Sequence, residues 1–545
     1  MYWPKKGDLF GKELDIAPVD HSTGSPETVQ RAVDWYQSCQ LSHGKCSSLP
    51  TRGFGWLPSR LIDIGQAEDD NWKLVITAEN AGKLLDVRYA TLSYRWGLKP
   101  QALMLNTLTV GGFLGGNPIA NLPKTFKEFI VVSRKLGFRY VWIDCLCIIQ
   151  DCSQDWNQEA PTMRDVYANS GCNILACDSS DPGGGLFRFR NPNDLLPGLV
   201  ETNLSSGQPQ RYIVRDGMLR YRLHYDVKTL ADRGWVFQER FLAPRLLSFH
   251  GQRISWECCE GREWERLYQG FESSISIMEE LLASTQQSAE APHGQMTEAT
   301  KNLWVRVVML YSQCKLTKSE DKLLAFVGVA KVFQELTGDT YLAGIWKSQL
   351  YIQLDWHTSG HLTKLPRRYR APSWSWASVD SPVEIQNQYF ESSEGWITED
   401  PTFLEILGVS VTANAFGGMA DASDGGLKVR GKCFRCSYEK KASHSYIGES
   451  FLIRPDGDFG VELMAGVQVD ATEYELAGEG RTTLLLHAVS PCGIYRFEAM
   501  ILQPHSSSEN SYRRAGWASG TVEDLEGPAS HAWFEQIANT ELTFF

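Results

Sequence analysis

Residues 139–176 read RYVWIDCLCIIQDCSQDWNQEAPTMRDVYANSGCNILA, and the fold is decided in this stretch. Tyr140 to Ile149 is an apolar run broken by Asp144, the pattern of a strand covered on both faces. An acidic turn follows, then a helix with Met163, Val166 and Tyr167 on one face, then a second buried strand, Cys172 to Cys177. Pro161 must either occupy the first turn of a helix starting near Glu159 or kink a longer one. Strand, helix and strand in this order predict a parallel α/β sheet, in which ligands sit beyond the carboxyl ends of the strands. Asp144, Gln150 and Asp151 are therefore places to look for chemistry.

Upstream, VRYATLSYRWG (87–97) reads as a strand of β-branched and aromatic residues that turns at Trp96 and Gly97. Ser93, Arg95 and Trp96 fall at its carboxyl end and are candidate ligand contacts; a Trp plugging the sheet beside a turn-capping Ser is the plainer reading. LPKTFKEFIVVSRKLGF (122–138) is the clearest helix, with Pro123 in its first turn, Phe126, Phe129, Ile130 and Leu136 at helical spacing, and Gly137 as its stop. It crosses between two parallel strands. GGFLGG (111–116) has the wrong spacing for a phosphate cradle and reads as a loop. LPSRLIDI (57–64) and WKLVITA (72–78) look like strands.

Residues 1–30 read as a surface arm, and Gln30 to Gln40 as a short helix leading into Cys39, His43 and Cys46. This Cys-x3-His-x2-Cys spacing suits zinc, but a tetrahedral site needs a fourth ligand and none is adjacent.

Downstream, strands are expected near 198–201 and 212–214, and RGWVFQERFL (233–242) reads as a helix ended by Pro244. Trp235 and Glu239 are four apart, one helical turn, so an indole is set to wall a carboxylate from solvent. The plainer reading pairs Glu239 with Arg240 or Arg245. RLLSFHGQRISWECC (245–259) reads as a hairpin turning at Gly251. Residues 271–300 read as a mobile Ser/Gln/Glu-rich insertion. Leu303 to Tyr311, Lys322 to Glu335 and Tyr341 to Trp356 are expected helices. From Pro372 on, WSWASVD, FLEILGVSVTA, GGLKVRGKCF, TTLLLHAV and YRFEAMIL imply a mainly antiparallel unit. Cys433-x2-Cys436 without a second pair is poor material for zinc, and His487 reads as a satisfied core histidine. The resulting divisions are 1–86, 87–260, 261–371 and 372–545.

Composition narrows the function. With 545 residues, 43% hydrophobic and 22% charged, the chain can bury a large core. A net charge of −12 without a dense Lys/Arg stripe argues against nucleic acid, whose phosphates require a basic face. No apolar run is long enough to span a bilayer and the first residues lack a signal-peptide core, so a cytoplasmic protein is expected. Thirteen cysteines, several inside apolar runs, point to reduced core thiols instead of a disulfide framework.

YATLSYRWG, then LGFRYVWIDCLCIIQD with DWNQE and MRDVY, then RGWVFQERFLAPRLLSF, resemble in order and spacing the three blocks of the fungal HET (heterokaryon incompatibility) domain. The resemblance covers roughly residues 87–250, and LPSRLIDI, YSQCKLTKSEDKLLAFVGVAK and APSWSWASVD are similar to its usual flanks. It implies allorecognition in filamentous fungi, with programmed cell death when unlike cells fuse. HET domains are in turn similar to TIR domains, which implies a TIR-like parallel sheet flanked by helices. RGWVFQE resembles the TIR helix with a WxxxE pattern, so Glu239 becomes the catalytic glutamate of an NAD glycohydrolase and Trp235 its aromatic neighbour.

Nicotinamide leaves NAD as a neutral molecule, so one carboxylate suffices. In this reading Glu239 stabilises the oxocarbenium charge, Trp96 or Trp235 stacks on the substrate, Arg95 meets the pyrophosphate and Ser93 orients it; Asp144 binds substrate or holds the Ser93 loop. Two alternatives stay open. One is a non-catalytic death-signalling module acting through a protein partner or self-association; the other is a cysteine hydrolase using Cys258 or Cys259 with His250.

Overall fold

The structure is a computed structural model that describes residues 20–47, 56–84, 87–98, 103–192, 198–202, 210–214, 230–265, 280, 292–359, 362–385, 404–413, 422–445, 448–456, 461–474, 476, 479–490, 496–505, 510–523 and 535–545. It divides into two compact units, Met1–Ala283 and Ser284–Phe545. Residues 1–19 of the arm expected over 1–30, and most of the insertion expected over 271–300, lie outside the described residues, while the arm's last residues open a helix at Pro26.

The first unit is built on a nine-stranded sheet. Its strands are β1 (Arg60–Asp63), β2 (Asn71–Ile76), β3 (Tyr89–Ser93), β4 (Asn117–Pro118), β5 (Tyr140–Trp142) and β6 (Cys172–Ala176). A separate pair, β7 (Gly198–Thr202) and β8 (Gln210–Val214), precedes the sheet's last three strands, β9 (Arg245–Phe249), β10 (Ile254–Cys258) and β11 (Gly261–Trp264). The order is β11-β10-β9-β6-β3-β5-β1-β2-β4. Strands β9, β6, β3 and β5 are parallel, as expected, but both flanks are antiparallel, so the sheet is mixed. Short links explain the β1–β2, β9–β10 and β10–β11 steps, since a two-strand hairpin can only run antiparallel, whereas β1 meets β5 and β2 meets β4 antiparallel across longer stretches of chain. All five residues of β3 and all five of β6 are buried, which is why these strands read as continuous apolar words.

The helices of this unit are α1 (Pro26–Ser42), α2 (Gly44–Ser47), α3 (Val110–Gly115), α4 (Lys124–Lys135), α5 (Asp144–Cys147), α6 (Ser153–Glu159), α7 (Met163–Ala168) and α8 (Gly234–Leu242). Ser25 caps α1 by accepting from the Thr28 N–H, and Pro26 fits its first turn. Helix α4 carries the expected crossover between β3 and β5, burying Phe126, Phe129 and Ile130. Residues 111–116, expected as a loop, are instead mostly helical in α3, because an Asn106–Thr109 turn starts a helix and Phe113 packs edge-on against Trp72 at 5.0 Å. The expected strand Tyr140–Ile149 stops at Trp142. Asp144 accepts a hydrogen bond from the Cys145 N–H at 2.6 Å and opens the short helix α5, an N-terminal position that suits an acidic residue. Pro161 sits in a 3-10 turn, Ala160–Thr162, that separates α6 from α7.

Strand β3 leads towards β5 on one side, while β6 leads towards β9 on the other. Their outgoing loops diverge, which opens a crevice at the carboxyl ends of β3 and β6.

In the second unit, helices Glu298–Ser312 and Val327–Thr337 match two expected ones. Tyr341–Trp356, expected as a helix, begins as a hairpin, Tyr341–Leu342 with Ile345–Trp346. Ala343 (φ 48°) and Gly344 (φ 106°) supply the two positive φ angles such a turn requires. WSWASVD is likewise a 3-10 turn, Trp376–Ser378, not a strand: the Trp356 and Trp376 indoles donate to Trp374 O (2.9 Å) and Gly344 O (2.7 Å).

The rest is an antiparallel sheet that closes on itself. Strands run in the order Leu404–Ala413, Ala422–Ser445, Gly448–Pro455, Glu462–Val469, Ser511–Glu523, Arg496–Pro504 and Glu479–Ser490, and the last pairs back onto Ala422–Ser445. Closure leaves these six pairing strands without a free edge. Phe451, Leu463, Leu484, Phe497 and Ala499 fill the interior. Cys433 and Cys436 lie three apart on one strand, hence on opposite faces, and Cys436 belongs to the interior. His487 is fully buried as expected, but among the described residues neither ring nitrogen has a hydrogen-bond partner, and the ring instead stacks on Tyr351 at 4.5 Å.

Candidate functional site

The sheet's pleat places Thr91 and Ser93 of β3 on the same face, with Asn173 of β6 paired beside them. Asn173 binds both: its Oδ1 accepts from Thr91 Oγ1 at 3.1 Å and its Nδ2 donates to Ser93 Oγ at 3.0 Å. Ser93 Oγ in turn donates to Glu239 Oε2. Glu239 reaches this point because α8 packs over the crevice with Val236, Gln238, Glu239 and Phe241 turned inward. Tyr167, from α7, completes the carboxylate's surroundings with a further hydrogen bond.

Glu239 is 8% exposed. Burial pushes its carboxyl up to about 7, and the negative charge of Asp144 adds to this; the Ser93 and Tyr167 hydrogen bonds and the Arg233 guanidinium oppose it. Burial also raises the Asp144 carboxyl, against the pull of Trp96, the Cys145 N–H, Tyr94 and Arg233. Trp96 Nε1 donates to Asp144 Oδ2 at 2.7 Å, so Asp144 holds the loop that leaves β3. Arg233 Nη1 donates to Tyr94 O at 3.0 Å and stands close enough to both carboxyls to act on each.

Of the six residues picked from the sequence, Ser93, Trp96, Asp144 and Glu239 are brought together at the carboxyl ends of β3 and β5. Arg95 borders them. Its guanidinium is held below its ordinary value by burial and by Arg233, and its Nε is buried without a hydrogen-bond partner among the described residues. Trp235 lies one turn before Glu239 and is half-buried. Ser93 and Tyr167 bond the carboxylate, and Asn173 Nδ2 donates to the main-chain carbonyl of Glu239 at 3.4 Å, so the polar wall around Glu239 comes from β3, β6 and α7. Asn173, Tyr167 and Arg233 were missed. Arg233 stood in plain view as the first residue of its block, whereas Asn173, a polar residue inside the apolar strand CNILA, was the signal that went unused. The pairing of Glu239 with Arg240 or Arg245 is not found; Arg245 Nε donates to Cys39 Sγ instead.

The hydrolase arrangement is taken apart by the hairpin register. Ile254 faces Phe249, His250 bonds Arg253 and Cys258 faces Arg245, so His250 and the Cys258–Cys259 pair sit at opposite ends of the hairpin, about 16 Å or more apart at 3.3 Å per residue. His250 Nε2 bonds Ser255 Oγ at 2.9 Å, and burial with Arg253 and Arg240 nearby lowers it to about 3.

Cys39, His43 and Cys46 do converge, and a fourth donor joins them from β10: Cys258. The four ligand atoms lie within 4.8 Å of one another, a cluster that can hold a metal ion. The described cysteines are all free thiols. No helix among the described residues is long and apolar enough to cross a membrane.

Residues 89–239 match the family model described as heterokaryon incompatibility protein (HET). The match starts at the first residue of β3 and ends at Glu239 itself, so it spans both halves of the Ser93–Glu239 bond. No curated protein and no solved structure matches the chain.

Proposed function

We propose that this chain, which carries a HET domain over residues 89–239, acts in fungal non-self recognition and drives programmed cell death by hydrolysing NAD. The reading takes the domain's sheet as TIR-like and sets its action in the cytoplasm. The observation that carries it is the buried Glu239 carboxyl, hydrogen-bonded to Ser93 at the carboxyl end of the central strand and balanced near neutral pH.

The chemistry follows from the charges. As the bond between C1′ of the ribose and nicotinamide breaks, the electron pair leaves with neutral nicotinamide and positive charge grows on the ribose. Ionised Glu239 stabilises that charge and accepts the ribose hydroxyls. Water then adds to C1′ and releases a proton, giving ADP-ribose. Arg95, whose Nε has no hydrogen-bond partner among the described residues, and Arg233 supply positive charge for the pyrophosphate; Trp96, held by Asp144, and Trp235 offer aromatic faces.

The test is NAD cleavage by the purified full chain, read as nicotinamide release. Wild type is expected to turn over, and Glu239→Ala to lose at least a hundredfold with its melting transition kept. Equal turnover in both, or none in either, ends the proposal.

One observation favours a second reading. At 8% exposure, with neighbours drawn from this chain, Glu239 also suits a structural carboxyl in a module that signals through a protein partner or by self-association. That module would keep its cellular death activity in Glu239→Gln and lose no NAD.

A further inference from the structure

We propose that Cys39, His43, Cys46 and Cys258 bind one zinc ion, which fastens the amino-terminal helices to the HET-domain sheet. The donor set is assembled by three separate local causes. Cys39 lies in the last turn of α1 and His43 is that helix's C-cap, four residues on, hence on the same side. Helix α2 then turns the chain back so that Cys46 faces both. Cys258 comes from the end of β10, 215 positions after His43, and its Sγ is 3.3 Å from His43 Nδ1.

The spacings approach those of a tetrahedral zinc site. Donors about 2.0–2.3 Å from a common zinc stand about 3.3–3.8 Å from one another. His43 Nδ1 lies 3.3 Å from Cys258 Sγ and 4.0 Å from Cys46 Sγ, and all four donors lie within 4.8 Å of one another, so closure needs movements of no more than about 1 Å. Three soft thiolates and an imidazole select zinc over magnesium or calcium, which take oxygen donors. Four protein donors close the coordination sphere and leave no position for substrate, so the ion is structural.

The surroundings fit the charge of such a centre. Zinc with three thiolates carries one net negative charge, and Arg245 answers it: its Nε donates to Cys39 Sγ at 3.3 Å and its Nη2 to Cys46 O at 3.3 Å. Arg245 is also the register partner of Cys258, so one β9–β10 pair supplies both a ligand and its counter-ion. The three cysteines are buried and His43 is half-buried, so the centre is shielded from water. Cys259, next in the chain, touches Cys46 but also points its Sγ to Pro244 O at 3.8 Å, and is not one of the four. The ion thus ties α1, whose Tyr36 packs edge-on against Trp256 of β10 at 6.1 Å, to the strand it already covers.

The experiment is elemental analysis of the full chain, purified without a polyhistidine tag from zinc-supplemented medium. One zinc per chain is expected, and Cys258→Ser should lose it while Cys259→Ser, an equally buried thiol, keeps it. If Cys258→Ser fails to fold, wild type stripped by chelator and refilled with cobalt should show the thiolate charge-transfer and visible bands of a tetrahedral Cys3His centre. Folded wild type without metal, a disulfide within the cluster by intact mass, or zinc retained in Cys258→Ser and lost in Cys259→Ser would overturn the proposal.

Discussion

Ser93 Oγ donates a hydrogen bond to Glu239 Oε2, joining the last residue of the central strand to a helix 146 positions further along the chain. Such a bond needs the crevice between β3 and β6 and a helix laid over it. It also makes one buried carboxyl the electrostatic centre of the domain, and its consequences are measurable.

Glu239 should make the fold less stable as pH rises. Its folded value, about 7, lies above the ordinary value of 4.5, so the folded state holds the proton more tightly than the unfolded one. Stability from this group is complete below about pH 4.5 and is lost as pH climbs through about 7. The interval is worth about 3 kcal/mol. Glu239→Gln should therefore gain on wild type by up to about that amount between pH 4.5 and 8, seen in melting curves at both pH values. A constant offset between the two proteins would mean the carboxyl is not held protonated.

If Glu239 serves NAD cleavage in its ionised form, turnover should rise with pH and level off above about 7. The neighbours then move the midpoint in opposite directions. Ser93→Ala removes a bond that favours the ionised form and should shift it upward; Asp144→Asn removes a negative charge and should shift it downward. Initial rates across pH 5 to 9 check both signs, and a common direction for the two variants would contradict the electrostatic account.

The bond from Trp96 Nε1 to Asp144 Oδ2 should hold the loop after β3 in place. Trp96→Phe keeps an aromatic ring and removes the donor, leaving a half-buried carboxylate short of a partner, at a cost of about 1 kcal/mol. A double-mutant cycle with Asp144→Asn should show coupling of similar size. Independent, additive losses would mean that the indole serves as packing alone.

Much of this domain was legible because its strands are covered on both faces. Tyr89–Ser93 and Cys172–Ala176 announce themselves as apolar words, and α4 by Phe126, Phe129 and Ile130 at helical spacing. What resisted was polar detail inside apolar runs. Asp144 was read as a site residue within a strand running on to Ile149, yet the strand ends at Trp142 and Asp144 opens a helix. Asn173 is invisible to periodicity, since its role lies in two hydroxyls brought alongside by strand pairing. Cys258 could not be matched to His43 from spacing, because β10 delivers it across 215 positions.

The second unit has its own buried ion pair. Arg514 and Asp470 side chains are 0% and 1% exposed, and Arg514 Nε meets Asp470 Oδ2 at 3.0 Å. The same guanidinium donates to Leu354 O at 2.6 Å and to Trp356 O, and lies 3.7 Å from the centre of the Trp356 ring. It therefore binds the 354–356 segment to the closed sheet. Arg514→Met would leave two carbonyls without their donor and Asp470 without its counter-charge, a loss of about 3–5 kcal/mol. Burial already pushes the Asp470 carboxyl up and Arg514 opposes this, so in Arg514→Met the acid should be retained as the neutral form. Adding Asp470→Asn should then recover only a small part of the loss, because the carbonyls of Leu354 and Trp356 stay unpaired. Chemical denaturation at pH 7 compares the two variants with wild type: full recovery in the double variant would assign the cost to the charge pair alone, and an unchanged Arg514→Met would show that the guanidinium does not secure the segment.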